Sequence, residues 1–230
     1  QILRDNANPL EKYNNTELLQ RYRFSRRTIQ DIILPLIYPR IMENTDRGLP
    51  IPPLIKVCVA LRFYATGSFQ KTCGDLQTIS QSSVCRLIAE VSEILARNIG
   101  QYVKFPATEE ENVANRSLFF DMARFPGVTG DSAYPQLQYL FIPVQNPNTQ
   151  AEQRYNSSQI KTRNVVERTF GMWKGRFRCL SISLNCKLRK TMRIIATTAV
   201  LHNIAIFERE HLIADPNFIR RIIPNPPAPN

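Results

Sequence analysis

A mainly α-helical protein with very little sheet is what this sequence predicts. Apolar residues recur at helical spacing in several separate segments, only one stretch reads persuasively as a strand, and Pro and Gly punctuate the gaps between them. With 230 residues and 43% hydrophobic content, the chain can bury a sizeable core in one or two domains.

Residues 1–22 are polar, with a short helix expected from Pro9 to Arg21. Ser25 is placed to N-cap a helix carrying Ile29, Ile32, Ile33 and Leu36, which Pro35 must bend or end. The stretch from Arg40 to Pro53 reads as a loop, and Pro53 suits the first turn of a helix reaching Ala65. Beyond Gly67-Ser68-Phe69 come a short helix over 70–76, a tight Gln77-Thr78-Ile79 connection, and a long helix N-capped by Ser80 that runs to about Ile99. Val84, Leu87, Ile88, Val91 and Leu95 share one face of that long helix. Together these form a helix-turn-helix pattern over about 53–99, whose second helix begins with Gln81, Ser82, Ser83 and then Arg86. Gln and Ser side chains can hydrogen-bond base edges while Arg86 meets phosphate or guanine; the same pattern also fits a helical hairpin packed inside the fold.

Further on, Glu109 to Glu111 suit a helix start, since acids complement the positive end of the dipole. Gln138 to Val144 is the strand candidate. A linker rich in Asn, Gln and Ser leads to a helix from about Gln159 to Gly175, and a second C-terminal helix runs from Lys187 to about Glu210. His202, in its apolar part, reads as a core or capping histidine before a metal ligand. The last residues, 224–230, hold four Pro and read as a disordered tail.

The chemistry is concentrated in the basic helix. Val166, Phe170, Trp173 and Phe177 align as an apolar face, while Arg163, Glu167 and Lys174 project from the polar side. From Arg154 to Arg193 there are eleven Lys or Arg against one acid, Glu167, in a chain of net charge +11 and pI near 9.7. That bias favours a polyanion as partner, and a carboxylate within it suits a divalent cation beside phosphate; an amphipathic helix with an intrahelical Glu-Arg pair is the other reading. Five Cys, at 58, 73, 85, 179 and 186, show no C-x-x-C spacing, so zinc is poorly supported and a reducing compartment is expected. No apolar run is long enough to cross a bilayer, and the start at Gln1 suggests an incomplete or processed product.

Several ordered motifs carry a family resemblance. They are Asn164-Val-Val-Glu-Arg-Thr-Phe-Gly171 with Arg176-Phe-Arg-Cys-Leu180, Gly130-Asp-Ser-Ala-Tyr-Pro135, Val200-Leu-His-Asn-Ile204, and upstream Ala60–Gln70, Ile79–Val84 and Phe125–Gly130. These segments resemble the Harbinger-type (PIF/Harbinger) transposases and, more closely, the domesticated Harbinger transposase-derived nucleases of animals. The resemblance implies a helical region with the helix-turn-helix over 1–105, a partial RNase H-like (DDE) nuclease domain over 106–215, and the tail over 216–230. Such nucleases use two Asp and one Glu to hold two Mg²⁺ or Mn²⁺ ions for in-line attack on a phosphodiester.

By resemblance Asp131 is the second Asp and Glu167 the Glu, with Arg163, Arg168, Lys174, Arg176 and Arg178 contacting DNA phosphates. The first Asp belongs a few residues after Phe125–Gly130, on a strand followed by further strands, yet here Gly130 runs straight into Asp131. Asp121 precedes the Pro-Gly turn and is no substitute. The expectation is therefore a truncated nuclease remnant with little sheet, exposing apolar faces of the 160–175 and 187–207 helices and prone to oligomerise. Its function is either metal-dependent DNA cleavage, impaired by the missing Asp, or non-catalytic binding of DNA or a partner. A Myb-like partner and a nuclear location, with the cytoplasm as a second site, complete what the family implies.

Overall fold

The computed structural model describes residues 8–41, 51–68, 79–125, 127–135, 137 and 140–211. It is mainly α-helical, with two two-residue strands among those residues. The chain divides into two compact units, one built from the N-terminal part up to Lys104 together with Met172 onward, the other from Phe105–Gly171. The first unit thus takes in the last C-terminal helix, from beyond Met172.

In the first unit the chain forms α1 (Pro9–Lys12) and α2 (Asn15–Tyr22), the latter closed by a capping box between Asn14 and Glu17. A π-helical turn over Thr28–Ile33 then runs directly into α3 (Leu34–Ile41). Pro35 neither ends nor breaks this helix. Its missing N–H leaves the carbonyl one turn back without its usual partner, and the wider turn, with Leu34 N–H bonding to Ile29 O, accommodates the mismatch. Helices α4 (Pro53–Thr66), α5 (Gln81–Ala96) and α6 (Ile99–Tyr102) follow. Gly67 closes α4 in the left-handed region at φ 73°, and a Cβ there would lie 3.2 Å from the Cys179 backbone. The short helix expected over 70–76 lies outside the described residues.

The core of this unit is α5 sandwiched by α4 and by the C-terminal helix α9 (Leu188–Phe207). The periodic Val84, Leu87, Ile88, Val91 and Leu95 are buried, as are Ile194, Val200, Leu201 and Ile204 of α9. Removing such a side chain from water contributes about 1.5–3 kcal/mol each. Two buried polar contacts set the register: Tyr64 Oη and Ser92 Oγ lie 2.6 Å apart, and Thr197 Oγ1 donates to Ser92 O at 2.8 Å. The apolar face expected to be bare on the 187–207 helix is therefore largely covered; Leu188, Met192, Ile195, Ile206 and Phe207 remain outside it.

The second unit holds α7 (Glu109–Ala123), β1 (Val128–Thr129), β2 (Leu140–Phe141) and most of α8 (Gln150–Arg176). Thr108 caps α7 by accepting from Glu111 N–H, with the Glu109–Glu111 run in its first turn as expected. The strand expected over 138–144 is reduced to Leu140–Phe141 among the described residues, since Gln138 and Tyr139 lie outside them. It pairs in parallel with β1, Val128 against Leu140 and Thr129 against Phe141.

Helix α8 begins nine residues before the expected Gln159. The polar linker is its first turns: Glu152 accepts from the N–H groups of Asn148 and Thr149 at 2.8 and 2.9 Å while Thr149 Oγ1 accepts from Glu152 N–H at 3.2 Å. Of the apolar face read along this helix, Phe177 just beyond its end is buried and Trp173 half-buried, but Val166 and Phe170 stay 46% and 47% exposed.

Candidate nucleic-acid interface and carboxylate pair

Gln159, buried on α8, fixes the site in the second unit. Its Nε2 donates to Gly130 O at 2.9 Å and to Phe141 O at 3.3 Å, tying the ends of both strands to the helix. Ser158 Oγ donates to Ala123 O, and Tyr155 Oη to Ile142 O at 3.0 Å, so successive turns of α8 hold α7 and β2. Asp131, the residue after Gly130, is thereby carried to the side of α8 that bears Arg163 and Glu167. The sequence marks Gln159 only as the expected start of a helix, because a Gln there looks solvated until the strand ends it serves are known.

One nitrogen then joins the pair. Arg163 Nη2 donates to Asp131 Oδ2 at 2.9 Å and also to Glu167 Oε1, one turn along the helix. The two carboxylates expected to share a cation are brought together with 35 residues between them in the chain, and the cation between them is a guanidinium. Asp131 also accepts at Oδ1 from Ala133 N–H at 3.4 Å and Ser132 Oγ at 3.1 Å. These hydrogen bonds, the backbone one first, and then the Arg163 charge hold its carboxyl below the usual range. Asp131 and Glu167 are each 47% exposed, so the pair faces water.

A two-metal centre needs a third protein ligand to bridge the ions, and no group of three or more His, Cys, Asp or Glu able to hold a metal exists among the described residues. With both carboxylates engaged by Arg163 and no third ligand beside them among the described residues, the donor set does not fit a two-metal centre. Asp121 does not join them; it lies near Arg124 on the exposed end of α7.

The expected DNA-contacting residues separate into distinct groups. Arg168 and Lys174 are exposed on α8, and Arg178 is exposed just beyond it. Arg176 is not available to DNA, which corrects the reading of it as a phosphate ligand. It is 4% exposed and donates to Arg23 O at 3.3 Å and Glu210 O at 3.0 Å, clamping the chain ends of the first unit. Burial, with Arg23 adding to it, pulls its pKa down to about 10. Arg163 is engaged by the two carboxylates. In the sequence Arg154 and Lys161 add only to the net charge, yet they stand exposed with Arg168 at i, i+7 and i+14 on α8, one stripe about 21 Å long. None of the three makes an ion pair among the described residues.

In the first unit, Gln81, Ser82 and Arg86 are exposed on the opening turns of α5. Ser83 is half-buried and belongs to the cap, its N–H and Oγ meeting Ser80 Oγ at 3.3 and 3.0 Å. His202 is buried, as read, and neither ring nitrogen has a hydrogen-bond partner among the described residues. No helix among the described residues is long and apolar enough to cross a membrane.

Comparison with known proteins adds a lineage to this geometry. The family described as DDE superfamily endonuclease matches residues 107–203. A human protein named "Putative nuclease HARBI1" is 27% identical over 278 aligned positions, covering 86% of this chain and 79% of its own length. Its cattle and Xenopus laevis counterparts are 26% and 25% identical over the same share of this chain. No solved structure gives a significant match. Since 86% of 230 residues is about 198, about 80 of the 278 positions aligned with the human relative hold no residue of this chain. The ordered motifs, the DDE match and these relatives point the same way, and the chain is similar to the Harbinger transposase-derived nucleases of the DDE superfamily.

Proposed function

We propose that this chain is a DNA-binding derivative of a Harbinger nuclease in which phosphodiester cleavage is impaired. The observation that carries the reading is Arg163 Nη2 lodged between Asp131 and Glu167. Two carboxylates that share one guanidinium are only half neutralised, but both are occupied by it, and they lack the third, bridging carboxylate that a two-metal displacement requires. What remains favourable is affinity for phosphate. The Arg154, Lys161 and Arg168 stripe, the exposed Lys174 and Arg178, and the +11 net charge all support a polyanion as ligand. Gln81, Ser82 and Arg86 at the start of a capped helix support sequence reading by that helix. A nuclear location and a Myb-like partner belong to the same proposal, on the strength of the family alone.

A lanthanide titration tests the Arg163-bound pair. Terbium luminescence should report only weak binding to the wild-type chain, because the ion must displace Arg163. Arg163→Gln should tighten binding at least tenfold, and adding Asp131→Asn should abolish the gain. Tight wild-type binding that Arg163→Gln leaves unchanged would sink the reading.

A further inference from the structure

The second unit, Phe105–Gly171, is short of a core. Among its described apolar side chains only Phe125 is buried, stacked edge-on against Phe141 and Tyr155 at 5.8 and 5.5 Å between ring centroids. Val113, Phe119, Phe120, Val128, Phe141 and Val166 line an open groove of about 840 Å³. Val128 is 64% exposed and Val113 54%. On the other side of α7, Leu118 and Met122 are also open to water at 62% and 51%. A helix apolar on two faces is one built to be covered on both.

The sheet tells the same story through its backbone. Among the described residues β1 pairs only with β2 and keeps one free edge, while Leu140 of β2 also meets Leu137 in an isolated antiparallel bridge, and a two-stranded sheet is marginal without further strands. Parallel neighbours ordinarily need a crossover of a dozen or more residues, yet ten residues, 130–139, separate β1 from β2. This is the connection expected where intervening strands are absent, and about 80 positions aligned with the human relative hold no residue of this chain.

Taking the chain as an incomplete nuclease, we propose that the groove and the free edge of β1 accept an apolar β-strand segment from another member of the family, one that retains the stretch this chain lacks. Strand addition satisfies the edge N–H and C=O groups, while alternate side chains fill the groove beside Phe119 and Val166. A second copy of this chain is a poor occupant. It presents the same short strands and the same open groove, and it lacks the same segment.

The probe is the tagged segment of the human relative that falls opposite the unmatched positions, co-expressed with the full chain. The expected result is co-purification at one to one, with a melting temperature at least 5 °C above that of the chain alone. Val128→Arg, a change at an exposed position that the fold tolerates, should weaken the complex at least tenfold, and Phe119→Glu should do the same from the opposite wall. A chain that is folded by circular dichroism yet does not retain the segment overturns the proposal. So does a complex insensitive to both substitutions, or a homodimer of the chain alone that Val128→Arg dissolves. Duplex-DNA binding, measured on the chain alone, separates the two readings: its loss would count against the proposed function and leave strand acceptance standing.

Discussion

Neutralising the exposed stripe on α8 should flatten the salt dependence of DNA binding by a calculable amount. Arg154, Lys161 and Arg168 recur every seven residues on one face of the helix and point to solvent, so each is free to meet a phosphate. Every phosphate neutralised releases counter-ions and contributes about −0.9 to the slope of log affinity against log salt. Removing three contacts should therefore reduce the slope by about 2.7. Between 50 and 200 mM salt, wild type should lose about 40-fold more affinity than Arg154→Ala/Lys161→Ala/Arg168→Ala. Fluorescence anisotropy of a labelled duplex, titrated at four or five salt concentrations, measures both slopes. A slope reduced by less than one contact's worth would show that the stripe does not touch DNA. Arg176→Ala is the informative contrast, because its buried guanidinium serves backbone carbonyls: that change should lower thermal stability and leave the slope of the folded protein unchanged.

Burial, with the charge of Arg176, lowers the His202 pKa to about 4, whereas an unfolded imidazole titrates near 6.5. The unfolded chain thus takes up a proton first as pH falls, and stability should drop by on the order of 2–3 kcal/mol between those values. His202→Leu should flatten that part of the pH–stability curve in urea melts, and an unchanged curve would refute the assignment. At the start of α5, Gln81→Ala should relax sequence preference by roughly 1–3 kcal/mol per lost base contact while sparing non-specific affinity. A randomised-site selection that returns the same preference for wild type and variant would make the helix a packing element.

The helices of the first unit were legible because their apolar periodicity is what the packing uses: Val84 through Leu95 on α5 are buried as read. The start of α8 was not, since Thr149 and Glu152 resemble any polar linker until their side chains are seen closing a capping box. Arg176 illustrates a different blind spot. An Arg among basic residues reads as a surface cation, and only tertiary contacts reveal the carbonyls of Arg23 and Glu210 that hold it inside. At the site, Asp131 and Glu167 could be named from motifs, and their meeting follows from Gln159, whose role depends on strand ends distant in sequence. That Arg163 would be the cation between them was legible only as an i, i+4 pair with Glu167; its second partner required the fold.

On the proposed function, the carboxylate pair with Arg163 between its members does not support two-metal cleavage. Supercoiled plasmid incubated in Mn²⁺ with the purified chain, beside its Glu167→Ala variant, tests this most directly. The account predicts equal, background nicking by both proteins at concentrations where the wild-type chain saturates the plasmid. Nicking by the wild type that disappears in Glu167→Ala would contradict it.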